Sequence, residues 1–271
     1  MQKVKNPQPT ALTIAGSDPI GGAGLQADLK TFAAFGVYGM TAITTLTIGN
    51  TNGVYDTITI PPAAVFSQIK AVYEDIAPHC VKTGLLGSPK NIVDIANELP
   101  KLTPCPLVVD PVMATKRGDV LASNEEVSAY YSHLIPIANV VTPNIREAEI
   151  LSGLTIERPE VMPMAAKQIL DFGCDAVIIK GGYFDNWKYS NDLFYDGSDE
   201  IWLRSDRILT PNTHGTGDAF SAAIAALLAK GIDLSKVVSI AKDYTSRAIQ
   251  NNLDLGQGEG PINFHTATNH E

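Results

Sequence analysis

A chain of 271 residues, 45% hydrophobic and 18% charged, is long enough to bury a large core and suits one α/β domain spanning residues 1–271. Its net charge of -9 argues against nucleic acid or a membrane surface as a partner, because both recruit clustered Lys and Arg. The three cysteines show no CxxC spacing and no apolar run approaches the ~20 residues of a membrane span, so we expect a cytoplasmic protein without disulfides or zinc.

Short apolar runs alternate with longer helical patterns, which is typical of βαβ units around a mostly parallel sheet. Central strands are predicted, in chain order, over Ala11–Ala15, Met40–Ile48, Cys80–Thr83, Leu107–Asp110, Val140–Thr142 and Ala176–Lys180. Edge strands are predicted over Val54–Ile60, Asp192–Tyr195 and Ile201–Arg204. Helices are predicted over Ala23–Phe35, Ala63–Ile76, Lys90–Leu99, Asn124–His133, Ile145–Leu151, Val161–Phe172, Thr216–Leu228 and Leu234–Asn251. The predicted fold class is α/β, with ligands at the carboxyl ends of the strands.

The most informative stretch is the glycine-lined turn that opens the helix after Thr213. Backbone N–H groups around Gly215, Thr216 and Gly217 have no helical partner there and face outward at the positive end of the helix dipole. The two glycines let an anion approach the backbone without Cβ clashes. The turn therefore predicts a phosphate site.

Asp218 places a carboxylate beside this predicted phosphate site. A carboxylate next to a phosphate is electrostatically unfavourable unless it has a role, and accepting a hydroxyl proton during phosphoryl transfer is one such role. The alternative is that Asp218 only caps the helix or complements its dipole. His214 lies in the same turn, and we expect it to position backbone or contact a nucleotide.

A second glycine-rich stretch, residues 16–24, follows the first strand. Its glycines do not follow the G-x-G-x-x-G spacing, and no acid ends the second strand to hold a ribose, so a dinucleotide site is not indicated. Two interpretations stay open. The loop covers a small substrate, or it is a tight turn that only packs a helix on the sheet.

Carboxylates follow two further predicted strands, at Asp110 and at Glu147. Both could hold Mg²⁺ mainly through its water ligands, as this reluctantly dehydrating ion prefers. The competing interpretation is structural, because Asn144 and Glu147 have the spacing of a helix capping box. Lys180 ends another strand before two glycines, and it could fold back to supply positive charge to bound phosphates.

Taken together, the motifs resemble the ribokinase superfamily and, within it, the hydroxymethylpyrimidine and phosphomethylpyrimidine kinases of thiamine synthesis. The resemblance covers nearly the whole chain. The motifs that carry it are ALTIAGSDP from Ala11, GGAGLQADLKTF from Gly21, GMTAIT from Gly39, KTGLLG from Lys82, DPVM from Asp110, TPNIREAE from Thr142, IKGGY from Ile179, NTHGTGDAFSAA from Asn212 and GEGPINFH from Gly258. The opening and closing motifs are specific to this branch and its pyridoxal-kinase relatives.

This resemblance implies a three-layer α/β/α sandwich, a homodimer, and transfer of the ATP γ-phosphoryl group to an aminopyrimidine or its monophosphate. By position it implies ATP and Mg²⁺ as cofactors, with Asp110 and Glu147 near the metal. It assigns Asn144, Lys180, Thr213 and the turn from Gly215 to Gly217 to the nucleotide. The residues that it assigns to the pyrimidine pocket are Ala23, Asp28, Thr47, Gly49 and Leu85.

The chain departs from the family pattern at two positions. Gly49 stands where a glutamine commonly hydrogen-bonds the pyrimidine, which keeps a pyridoxal kinase open as an alternative function. Asp218 stands where cysteine is usual in this branch and aspartate is usual in sugar kinases, which favours a general base of the sugar-kinase kind. A sugar kinase itself is disfavoured because residues 16–30 lack the expected acidic and Asn-rich contacts. A non-catalytic protein that binds a vitamin precursor is the alternative from another class.

Overall fold

The computed structural model describes residues 8–113, 122–182 and 188–266. Tyr183, the last residue of the IKGGY motif, lies outside these ranges. Nine strands form one sheet in the order β3-β2-β1-β4-β5-β6-β7-β8-β9. The strands are β1 Thr10–Ser17, β2 Tyr38–Asn50, β3 Gly53–Thr59, β4 Cys80–Thr83, β5 Leu107–Val109, β6 Val140–Val141, β7 Val177–Ile179, β8 Asp192–Tyr195 and β9 Glu200–Leu203. Strands β2, β1, β4, β5, β6 and β7 run parallel, whereas β3, β8 and β9 are antiparallel additions at the edges.

Eight α-helices accompany the sheet within the described ranges. They are α1 Gly24–Ala34, α2 Pro62–Asp75, α3 Pro89–Glu98, α4 Asn124–Ala129, α5 Ile145–Ser152, α6 Met162–Leu170, α7 Thr216–Ala229 and α8 Leu234–Gln250. No helix of the described residues is long and apolar enough to cross a membrane. The predicted helix over Asn124–His133 is shorter than expected as an α-helix, because Tyr130–Leu134 form a π-helical turn after α4.

Two separate apolar clusters cover the two faces of the sheet. Helices α1, α7 and α8 pack on one face, and α2 to α6 pack on the other. Side chains alternate along each strand, so Leu12 and Ile14 pack on the face covered by α2 to α6, whereas Ala11 packs on the face covered by α1, α7 and α8. The arrangement is a three-layer α/β/α sandwich, as the sequence predicts, and it brings the carboxyl ends of six parallel strands to one edge.

The β2–β3 hairpin differs from the rest of the sheet because its outward face is not covered by a helix of the described chain. Leu46, Ile48 and Ile58 lie on this face with exposed fractions of 38%, 45% and 50%, and Leu46 pairs directly with Ile58. The opposite face carries Thr45, which is buried against Gly16 in β1 and Gly87 after β4. The hairpin therefore presents apolar surface outward and polar surface toward the strand ends.

Candidate active site

The start of α7 is fixed by backbone conformation. Gly215 is the N-cap residue with φ of 82°, a left-handed value that favours glycine. A Cβ at Gly215 would overlap the carbonyl oxygen of Gly22, so the turn before α7 packs directly on the glycine-rich loop after β1. The amides of Gly217 and Asp218 fall in the first helical turn, where N–H groups have no intrahelical acceptor. This end of α7 has the geometry of an anion site.

Asp218 lies in the first turn of α7 with its side chain 19% exposed. The N-cap position is Gly215, and no side-chain cap hydrogen bond is formed there. The carboxylate Oδ1 of Asp218 instead accepts from Lys82 Nζ at 3.3 Å. Asp218 is therefore held by a side chain from β4, beside the predicted phosphate site, and one face of it remains open to solvent.

Lys82 and Asp28 form a completely buried ion pair beneath Asp218. Lys82 Nζ donates to both carboxylate oxygens of Asp28, at 2.7 and 2.9 Å, and both side chains are 0% exposed. The Thr13 hydroxyl donates to Asp28 Oδ2 at 2.5 Å. Burial, and then repulsion by Asp218, raise the pKa of Asp28 to about 7 against the attraction of Lys82. For Lys82, burial lowers the pKa, but attraction by Asp28, Asp218 and Asp110 raises it overall.

The raised pKa of Asp28 predicts that stability falls as the pH rises. The folded chain keeps a proton on Asp28 that the unfolded chain releases above the ordinary aspartate pKa of 3.8, so the stabilisation is complete below that pH and is lost as the pH approaches about 7. We expect Asp28→Asn to flatten the pH dependence of the unfolding free energy by roughly 1 kcal/mol per pH unit in this window. Urea unfolding at a series of pH values across this window measures it.

The exposed Asp94→Asn, which removes the partner of Lys90 on α3, is the matched control. It replaces one acid without touching a buried group, and its slope should follow that of the unmodified chain. An Asp28→Asn slope that also matches the unmodified chain would contradict the prediction.

Asp110 and Lys180 meet beside the start of α7. Lys180 Nζ donates to Asp110 Oδ1 at 2.8 Å, and the Ser221 hydroxyl on α7 donates to Asp110 Oδ2 at 2.9 Å. A Cβ at Gly217 would lie 3.3 Å from Lys180 Nζ, so the lysine reaches the first turn of α7. The structure thus brings a cation to the predicted phosphate site, although Lys180 is there paired with Asp110.

Asn144 and Glu147 form the capping box that the sequence offered as the structural interpretation. Asn144 Oδ1 accepts from the Glu147 amide at 2.9 Å, and Glu147 Oε2 accepts from the Asn144 amide at 2.8 Å. The Met113 amide also donates to Glu147 Oε1 at 3.3 Å. The capping role is therefore present, and it does not exclude a ligand role.

The two candidate metal ligands are electrostatically coupled. Burial, with a further contribution from repulsion by Asp110, raises the pKa of Glu147 to about 8 against the attraction of Lys180. Two buried carboxylates that repel each other fit a hard cation between them. In the described part of the chain, no group of three or more His, Cys, Asp or Glu side chains converges on one point. A metal held by these two residues would need water or phosphate oxygens as its other ligands.

The residues assigned to the pyrimidine pocket lie at the ends of β1, β2 and β4, with one exception. Ala23 donates its amide to Asp18, and the Leu85 side chain lies against Gly16 near the end of β1. Thr47 is half-buried on the inward face of β2. Asp28 is different, because its carboxylate is fully buried and bound to Lys82 and Thr13, beneath the surface that the other residues form.

Gly49 lies at an irregularity in the β2–β3 ladder. The register shifts between Ile48 and Gly49, and a Cβ at Gly49 would lie 2.6 Å from the carbonyl oxygen of Gly53. Backbone from the opposite strand occupies the space into which a side chain would start. A side chain at this position would therefore require the local backbone to shift.

An unpredicted contact joins the two glycine-rich segments. His214 Nε2 lies 3.0 Å from Asp18 Oδ2. Asp18 also accepts from the amides of Gly22 and Ala23, at 3.0 and 2.8 Å. The pKa of Asp18 is lowered, because the hydrogen bond and charge of His214, together with these amides, outweigh its burial. His214 therefore positions backbone, which is the first of its two expected roles.

Sequence reasoning missed Lys82, Asp18 and Ser221 as site residues. The signal for Lys82 was present, because a lysine in the short strand Cys80–Thr83 must either leave the sheet or find a buried partner. Asp18 contacts His214 and Ser221 contacts Asp110, and each of these contacts joins segments that are far apart in the sequence.

Known proteins resemble this chain over most of its length. The family model described as phosphomethylpyrimidine kinase matches residues 18–263. The hydroxymethylpyrimidine/phosphomethylpyrimidine kinase of Synechococcus elongatus is 41% identical over 254 residues, which cover 94% of this chain and 96% of that protein. The thiamine biosynthesis bifunctional protein ThiED of Geobacter sulfurreducens is 44% identical over 257 residues, 95% of this chain and 52% of that longer protein.

Among solved structures, the pyridoxal kinase from Staphylococcus aureus in complex with AMP-PCP and pyridoxal superposes with a TM-score of 0.90. The two chains are 36% identical, and the match covers 98% of this chain and 96% of that one. The three-layer fold is therefore shared with a kinase whose structure holds AMP-PCP and pyridoxal.

Proposed function

Since this chain belongs to the phosphomethylpyrimidine kinase family, we propose that it transfers the γ-phosphoryl group of ATP to 4-amino-5-hydroxymethyl-2-methylpyrimidine and then to its monophosphate. The chain is a kinase of thiamine biosynthesis. The observation that carries the proposal is the start of α7, where first-turn amides without an intrahelical acceptor lie beside Asp218 and within reach of Lys180.

The first transfer needs an alcohol to attack phosphorus while it loses a proton. The hydroxyl oxygen of the acceptor forms the new bond to the γ-phosphorus, the bond from that phosphorus to the leaving oxygen of ADP breaks, and Asp218 accepts the hydroxyl proton. The amides of Gly217 and Asp218 hold the transferring group, and Lys180 neutralises part of the developing charge. Asn144, which follows β6, and Thr213, which precedes α7, contact the nucleotide.

Asp110 and Glu147 fit the requirement of such a kinase for Mg²⁺. Both carboxylates are buried beside Lys180, and their mutual repulsion is relieved by a cation. Bound there, the ion would neutralise phosphate charge.

We propose that the acceptor lies between the loop after β1 and the inward face of the β2–β3 hairpin. Ala23, Thr47, Gly49 and Leu85 border this space, and Asp28 supports it from below. The assignment of Asp28 is indirect, because its carboxylate is occupied by Lys82.

Pyridoxal phosphorylation is the second candidate function. The Staphylococcus aureus pyridoxal kinase shares the fold closely, and Gly49 offers no side chain to select a pyrimidine. The test is a side-by-side assay of the purified chain with ATP, Mg²⁺ and either acceptor. We expect kcat/KM for the hydroxymethylpyrimidine to exceed that for pyridoxal, and a clear preference for pyridoxal would reverse the assignment.

We also propose a cytoplasmic homodimer. The three cysteines are free, which suits a reducing compartment. The outward apolar face of the β2–β3 hairpin, with Leu46, Ile48 and Ile58, is a suitable surface for a second copy of the chain. Sedimentation of the chain and of its Ile48→Glu variant tests this assembly, since the charge should shift the population toward monomer. A monomeric unmodified chain would exclude it.

A further inference from the structure

Lys82 is a fully buried lysine whose ammonium group bridges two helices. It projects from β4 on the face covered by α1 and α7, and Nζ contacts Asp28 on α1 at 2.7 Å and Asp218 on α7 at 3.3 Å. A buried ammonium is costly unless its protons are hydrogen-bonded to opposite charges. The Lys82 side chain is shielded from solvent, so its ammonium group depends on the carboxylates of Asp28 and Asp218 as partners.

The Asp28 end of this bridge is rigidly held. Both carboxylate oxygens of Asp28 accept from Lys82, and Oδ2 also accepts from Thr13 on β1. The strand and the helix are both buried in the core at this point. Lys82 therefore has a fixed position from which it reaches Asp218.

Charged groups from three elements interact electrostatically with Asp218. They are Asp28 on α1, Lys82 on β4 and Lys180 after β7. Lys180 is engaged by Asp110 at 2.8 Å. Among the residues that the structure describes, Lys82 is the cation in direct contact with the Asp218 carboxylate.

We infer that Lys82 is a positioning residue that holds one carboxylate oxygen of Asp218 and leaves the other to the acceptor hydroxyl. This role rests on the proposed function of Asp218 as the general base. Lys82 does not touch substrate, and it acts through the orientation that its hydrogen bond gives to the Asp218 carboxylate. Asp28 influences the hydrogen bond between Lys82 and Asp218, because it shares the same ammonium group.

The test removes the buried pair without leaving a lone charge. In Lys82→Met/Asp28→Asn, neutral side chains of similar size replace both partners, a change that buried ion pairs often tolerate. We expect kcat for the hydroxymethylpyrimidine to fall about tenfold or more with KM for ATP unchanged, and kcat for the monophosphate, whose attacking oxygen needs no base, to fall much less.

The single variant Asp28→Asn should lower kcat for the hydroxymethylpyrimidine less than the double variant does, because the Lys82–Asp218 contact remains. Thr13→Val is the matched control, because it perturbs the same buried cluster while the Lys82–Asp218 contact is retained. Its melting temperature should drop, and the ratio of its kcat values for the two acceptors should not change.

Three results separate the possible failures. A folded double variant with the unmodified kcat, or with equal losses for the two acceptors, would overturn the role of Lys82. If the double variant does not fold, Lys82→Met takes its place, and an unmodified ratio of kcat between the two acceptors in that variant would overturn it as well. Near-normal turnover in Asp218→Asn would instead remove the proposed base, and with it the premise of the inference.

Discussion

Asp218→Asn is expected to lower kcat for the hydroxymethylpyrimidine by a factor on the order of 10² or more, with little change in KM for ATP. Asparagine keeps the size of the side chain and can still accept a hydrogen bond from Lys82. It cannot accept the hydroxyl proton, so the loss falls on the chemical step. Steady-state kinetics with both substrates varied provides the measurement.

The monophosphate acceptor gives this experiment an internal control. A phosphate monoester has its second pKa near 6, so its attacking oxygen is already deprotonated at about pH 8 and needs no base. The second phosphorylation should therefore lose much less activity in Asp218→Asn than the first. Equal losses in both steps would indicate that Asp218 orients the acceptor or the helix and does not accept the proton.

Gly215→Ala is expected to lower kcat/KM by about 100-fold or more, because displacement of reacting groups by about 1 Å has effects of that size. The added Cβ would overlap the Gly22 carbonyl oxygen, and the left-handed φ of 82° adds strain. The turn before α7 and the loop after β1 would have to separate, although they line the proposed phosphate and acceptor sites. Kinetics and thermal unfolding measure the two effects.

Gly36→Ala is the matched control for this variant. Gly36 also has a left-handed φ, of 68°, but nothing lies within 4 Å of the added Cβ. It precedes the start of β2, away from the carboxyl ends of the strands. It should lower stability through strain alone and leave turnover intact. A Gly215→Ala enzyme that is no less active than Gly36→Ala would contradict the close contact between the two glycine segments.

The sequence predicted local features well because they depend on neighbouring residues. The βαβ alternation, the glycine turn before α7 and the capping box of Asn144 and Glu147 all follow from short spacings. The α/β fold and the kinase family are confirmed. Asp110 and Lys180 come together because parallel strands end at one edge of the sheet, and α7, which carries Asp218, begins beside them.

What could not be predicted depends on contacts between distant segments. Asp28 on α1 and Lys82 on β4 are 54 positions apart. They meet only because α1 packs on the face of the sheet toward which the Lys82 side chain points. The contact between Asp18 and His214 joins residues that are 196 positions apart. The spacing of charged residues does not reveal which carboxylate will be satisfied internally, so the family resemblance assigns Asp28 to the substrate pocket although Lys82 occupies its carboxylate.

The most direct measurement is a crystal structure of the chain with a non-hydrolysable ATP analogue, Mg²⁺ and the hydroxymethylpyrimidine. The proposed function predicts an Asp218 carboxylate oxygen within about 2.6–3.2 Å of the acceptor hydroxyl, with the γ-phosphate against the first-turn amides of α7. A hydroxymethyl group bound away from Asp218, or a γ-phosphate that does not reach these amides, would contradict it.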